Sequence, residues 1–133
     1  MKAELWFYKG PGKLFDKLIR GWTCSIYSHV ELVIGGMSYS ADAWEGQVRS
    51  KGIGAFTREN WDVVEIEFTK SYSWLGQQLG KKYDWLGILG FMLFKVQDPS
   101  RWYCSEFCAC AVGINADRIS PQQLFEKTTT TGA

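Results

Sequence analysis

The stretch Arg101-Trp-Tyr-Cys-Ser-Glu-Phe-Cys-Ala-Cys-Ala-Val112 constrains this chain more than any other. Phe107, Cys110, Ala111 and Ile114 recur at helical spacing, which predicts one buried helix from about Ser105 to Val112. Cys104 then stands at the helix N-terminus, where unpaired backbone N–H groups and the helix dipole favour an anion, here a thiolate. Glu106 falls in the first turn, where a carboxylate is also favourable. Cys104, Cys108 and Cys110 share this one helix, so they cannot form the disulfide framework of a small secreted protein. Buried cysteines are mostly inert small hydrophobes, so a nucleophilic reading of Cys104 requires a base. The chain has one histidine, His29.

Composition sets the remaining bounds. A length of 133 residues suits one domain with one core, and hydrophobic residues at 46% suffice to build it. Seven Trp and six Tyr point to an aromatic-walled core or cleft. A net charge of +1 leaves no basic excess to neutralise phosphates, which argues against nucleic acid as a partner. Met1–Tyr8 does not read as a signal peptide, because its apolar run is short and no small-residue cleavage site follows. The longest apolar run, Trp85–Phe94, is about half of the roughly 20 residues that a bilayer span needs. The expectation is therefore a cytoplasmic protein with no transmembrane segment and with reduced cysteines. A zinc site would have to combine Cys24, His29 and two of the late cysteines without any Cys-x-x-Cys pair, so neither metal nor cofactor is expected.

Along the chain, Ala3–Tyr8 reads as a short strand and Lys9–Gly12 as a turn. Lys13–Arg20 follows a helical period that Gly21 would end. His29–Ile34 reads as a strand with Val30, Leu32 and Ile34 on one face and His29, Glu31 and Val33 on the other. Gly35-Gly36 is a hairpin signal, and Met37–Asp42 is the partner strand. Trp44-Glu45-Gly46 is a turn, Gln47–Lys51 a third short strand, and Gly52–Asn60 loop or short helix. Asp62–Thr69 alternates, with Val64, Ile66 and Phe68 toward the core. Ser71–Leu79 reads as a helix, Asp84 as an N-cap for the apolar Trp85–Phe94, and Ser120-Pro121 as the start of a last helix through Glu126. Residues 128–133 read as a frayed polar tail after a single domain over 1–127. The class is α+β: a small antiparallel sheet packed against helices.

Cys104 and His29 are far apart in sequence, which the chemistry permits, because dyads and triads are recognised by geometry and roles. Imidazole beside a thiol favours the thiolate and later returns a proton to the leaving group. A third polar group would hold the imidazole. Glu31 on the same strand face, and Ser40 or Asp42 on the next strand, are the candidates. A solvated strand carboxylate and a polar position on a half-exposed strand are the plain alternatives for Glu31 and Ser40.

Tyr27-Ser28-His29-Val30-Glu31-Leu32-Val33, followed much later by Tyr103-Cys104-Ser105-Glu106-Phe107, resembles the circularly permuted NlpC-type and papain-like group. That group includes YiiX-like peptidases and lecithin-retinol acyltransferase-like enzymes. Tyr39-Ser40-Ala41 with Gly46-Gln47-Val48-Arg49, Tyr83-Asp84-Trp85-Leu86-Gly87 and Ile119-Ser120-Pro121 are similar to it as well. The resemblance implies a permuted papain-like (NlpC-like) fold, Cys104 as nucleophile, His29 as base and a third polar residue near Ser40, where relatives often carry Glu, His, Asn or Gln. Small members of this kind are common in bacteriophages, which would place the chain in a host cytoplasm.

The function expected from these residues is a cysteine hydrolase that cleaves an amide or peptide bond through a Cys104 thioester. Peptidoglycan stem peptides are the substrate implied by family analogy. The alternatives are a lipid acyltransferase or thioesterase on the same fold, for which an acyl chain would lie against Trp85–Phe94, and a phage module that binds a host protein without turnover. The site residues expected are Cys104, His29, Ser40 and Glu31.

Overall fold

The structure of the protein, a computed structural model, describes residues 1–10, 27, 29–42, 45–83, 104–115 and 119–131. The expected helix over Lys13–Arg20, Cys24, Trp44, the Asp84 cap with the apolar Trp85–Phe94 run, and the Trp102-Tyr103 pair lie outside the described residues.

Five strands form one antiparallel sheet: β1 (Lys2–Tyr8), β2 (His29–Ile34), β3 (Met37–Asp42), β4 (Gln47–Gly52) and β5 (Trp61–Glu67), in the spatial order β4-β3-β2-β1-β5. Three helices are described: α1 (Tyr72–Gln78), α2 (Cys104–Ala111) and α3 (Pro121–Thr131). The class is thus α+β, as expected. Among the described residues, no helix is long and apolar enough to cross a membrane.

The hairpin signal holds at Gly35 and Gly36, whose φ values of 58° and 80° are those of a turn that needs positive φ at both central residues. The register then follows from alternation. Leu5 and Phe7 of β1 pair with Leu32 and Val30 of β2, and these side chains enter the main core beneath α2 and α3. Phe107 of α2 and Leu124 of α3 are fully buried there, each such side chain contributing about 1.5–3 kcal/mol. Trp6, Val33 and Trp61 form a second, smaller cluster with Tyr8, Ile53 and Phe56.

Two details position the site. β3 pairs with β2 only from Leu32 to Ile34, whereas β1 pairs with β2 all the way to His29. The first half of β2 is therefore released from β3, and α2 packs against both strands. α2 is itself fixed from two sides. Trp74 of α1 stacks on Phe107, with ring centroids 5.6 Å apart, and Ser105 Oγ donates to the Ile119 carbonyl at 2.6 Å.

α2 is the buried helix expected, with Cys108 and Ala109 fully buried and Cys110 half-buried. One expectation changes. α3 does not end at Glu126 but runs to Thr131. Ser120 and Gln123 cap its start reciprocally, each backbone N–H donating to the other's side chain at 2.9 and 3.1 Å. At its far end Thr128 is buried, and the Thr128 and Thr129 hydroxyls donate to carbonyls three and four residues back. These bonds satisfy the polar threonines within the helix, which the reading of a frayed tail from 128 overlooked.

Candidate active site

His29 is the first residue of β2, and the segment leading into it is anchored. The Tyr27 hydroxyl donates to Asp62 at 2.5 Å, and Lys9 holds the other Asp62 oxygen at 2.7 Å. Burial, then the bond to Asp62 and its charge, push the Tyr27 phenol well above its usual range, while the Lys9 and Tyr27 bonds hold Asp62 below its own. Tyr27 is therefore a structural anchor. His29 itself remains 21% exposed, with the edge of Trp61 against its ring, centroids 6.5 Å apart.

The His29 imidazole has partners on two sides. Nε2 bonds the Glu31 carboxylate two residues along the same strand face. The Cys104 side chain, on the first residue of α2, lies near enough to act on the charge of the same imidazole. Cys104 is buried, at 4% exposure. Burial alone would push the imidazole pKa down. The charge of the Cys104 sulfur and then that of Glu31, with the bond to Glu31, overcome this and raise it to about 10. The sequence-predicted trio Cys104, His29 and Glu31 is thus brought together, although nothing in the spacing of Cys104 and His29 required it.

Glu31 has no exposed surface, and a buried carboxylate needs counter-charge. Arg49 of β4 supplies it with both ends of its fork: Nη1 to Oε1 and Nη2 to Oε2, each at 2.6 Å. Nε of the same guanidinium donates to Asp42 at 2.9 Å. Burial pushes the Glu31 carboxyl up, but His29 and then Arg49 outweigh it and hold the group at about 2. Arg49, in turn, is held above its ordinary value by Glu31 and Asp42 against the effect of burial.

Ser40 is not on the imidazole. Its hydroxyl donates to the Val30 carbonyl at 2.7 Å, in the region where the β2–β3 ladder has opened. The Cys108 thiol makes a longer contact of 3.8 Å to the same carbonyl. Burial, followed by the charges of Cys104 and Glu31, pushes the Cys108 thiol up, so it stays a neutral donor. The orienting role given to Ser40 is therefore replaced by one in backbone satisfaction, because the buried Val30 carbonyl is its nearer acceptor, at 2.7 Å against 3.5 Å for that of Ala41. Asp42 joins the cluster through Arg49.

Sequence reasoning gave Arg49 no role, because its reach depends on strand pairing: Arg49 pairs with Ser40, and β3 lies between β4 and β2. A small serine on the intervening strand leaves room for a long arginine to reach the glutamate beyond it. Among the described residues, no group of three or more His, Cys, Asp and Glu side chains is arranged to hold a metal ion. No protein-family model matches this chain, and no curated protein matches it.

Proposed function

We propose that the chain is a cysteine hydrolase of permuted papain-like (NlpC-like) type, acting on an amide or peptide bond. The observation that supports the reading is a His29 imidazole bonded to the Glu31 carboxylate and under the charge of the nearby Cys104 side chain. A thiol, an imidazole and a buried acid in that order are the parts needed for acyl transfer.

The steps follow from those parts. The Cys104 thiolate attacks the carbonyl carbon, and the backbone N–H of Cys104 at the start of α2 donates to the developing oxyanion. The C–N bond breaks as imidazolium His29 gives its proton to the departing nitrogen, leaving a thioester on Cys104. Neutral His29 then takes a proton from water as the water oxygen attacks the thioester. The acid departs, and thiolate and imidazolium are restored. Glu31 holds the ring by accepting from Nε2–H throughout.

Peptidoglycan stem peptides are the substrate class that family analogy suggests. Acyl-group trapping tests the reading. The protein is mixed with a panel of short peptides, muropeptides and acyl esters, quenched in acid and mapped. An acyl group on the peptide containing Cys104, absent in Cys104→Ala, is expected. No acylation with any member of the panel favours a module that binds a host protein without turnover. Acylation only by long-chain esters favours the lipid acyltransferase or thioesterase alternative.

A further inference from the structure

One member of the charged cluster does not act on Cys104 directly. The hydrogen bonds of Arg49 go to Glu31 and Asp42. Bringing a guanidinium to 8% exposure is costly, and the fold does so beside a carboxylate that already has a cationic neighbour in His29. The acid–base cycle supplies a reason. His29 is a counter-charge for Glu31 only while it is protonated, and it gives its proton away each time a leaving group departs. At that moment a fully buried carboxylate would face a neutral ring.

We propose that Arg49 is a positioning residue for the His29 acid–base cycle: its two-point grip keeps Glu31 ionised and fixed while the imidazole is neutral, so that Glu31 accepts from Nε2–H rather than taking the proton. The inference rests on the hydrolase reading of Cys104 and His29. The geometry matches the task. Both Glu31 oxygens are engaged by the planar fork, which a lysine's point charge cannot reproduce. Asp42 holds the third donor of the guanidinium and fixes its plane. The groups that face Glu31 are His29 on its own strand, Arg49 from β4 and the Cys108 thiol from α2. The Ser40 hydroxyl of β3 goes to Val30, and Trp6, the β1 register partner of Glu31, is uncharged. Arg49 is the one permanent cation of this set.

His29 is the only histidine in the chain, so its ring ¹⁵N signals report protonation and tautomer without assignment ambiguity. In the native protein those signals should show imidazolium until about pH 10, a neutral ring kept in the Nε2–H form above it, and a carboxylate step near pH 2. In Arg49→Met, loss of a neighbouring positive charge should move the carboxylate step up by about one to three pH units. Arg49→Lys, which keeps the charge, should restore most of that shift. An arginine that served only the fold would lower the melting temperature and leave both titrations in place, and that result overturns the proposal. If Arg49→Met does not fold, the native tautomer decides: a neutral ring in the Nδ1–H form, or averaging between forms, overturns it, and a fixed Nε2–H form supports it. Normal acylation of Cys104 with unmoved titrations counts against Arg49 alone. Titrations that move as stated while Cys104 stays unacylated count against the hydrolase reading alone.

Discussion

Glu31→Gln removes the buried charge on which the cluster is built and leaves the shape of the side chain intact. The carboxyl stands at about 2 in the folded protein against an ordinary value of 4.5. At about 1.4 kcal/mol per pH unit, that difference is worth about 3 kcal/mol of stability. The figure agrees with the roughly 3–5 kcal/mol lost when one partner of a buried ion pair is removed. The sign follows from linkage: a depressed carboxyl stabilises above its unfolded value and loses that contribution as pH falls through about 2. His29 does not disturb this window. Its folded value is raised from 6.5 to about 10, so its own contribution is complete below pH 6.5 and is lost only as pH rises through about 10. Urea unfolding at steps between pH 2 and 6 should show Glu31→Gln about 3 kcal/mol less stable than the native protein at pH 6, with the gap closing toward pH 2. A gap that stays constant or widens in acid would refute the linkage, and with it the claim that Glu31 is held ionised.

Ser40→Ala should cost about 1 kcal/mol, the worth of one buried hydrogen bond to Val30, and leave the alkylation rate of Cys104 within about twofold. A tenfold slower reaction would return Ser40 to the imidazole. Cys108, fully buried and with its thiol pushed up, should stay unlabelled in native protein and react only after denaturation, as peptide mapping of both states would show. Gly113→Ala should lower stability by about 1 kcal/mol or more, because φ is 76° and an added Cβ would lie 3.3 Å from Thr69 Cγ2. An unchanged melting temperature would contradict that account of the turn after α2.

The sheet was legible where local chemistry and pattern agree. Gly35-Gly36 set the hairpin, and the alternation of Val30, Leu32 and Ile34 set its inner face. Ser71 and Ser120 marked helix starts because their hydroxyls accept from backbone N–H groups in the first turn. The meeting of Cys104 and His29 could be guessed from chemical complementarity but not from spacing, since it depends on where α2 lands on the sheet. Glu31 and Ser40 read as interchangeable candidates because both lie on polar strand positions. Only the early parting of β2 from β3, which opens the Val30 carbonyl, separates their roles. Arg49 was illegible for a related reason: on its own strand it looks solvated, and its partner lies two strands away.

The pairing of Cys104 with His29 is tested most directly by iodoacetamide labelling at neutral pH, followed by peptide mapping, in native protein and in His29→Ala shown by circular dichroism to be folded. Cys104 should be the fastest thiol in the native protein. Losing the neighbouring imidazolium should slow it by a factor of about ten or more. A folded His29→Ala protein that labels at the native rate, or native protein in which Cys24 or Cys110 reacts first, would contradict the account.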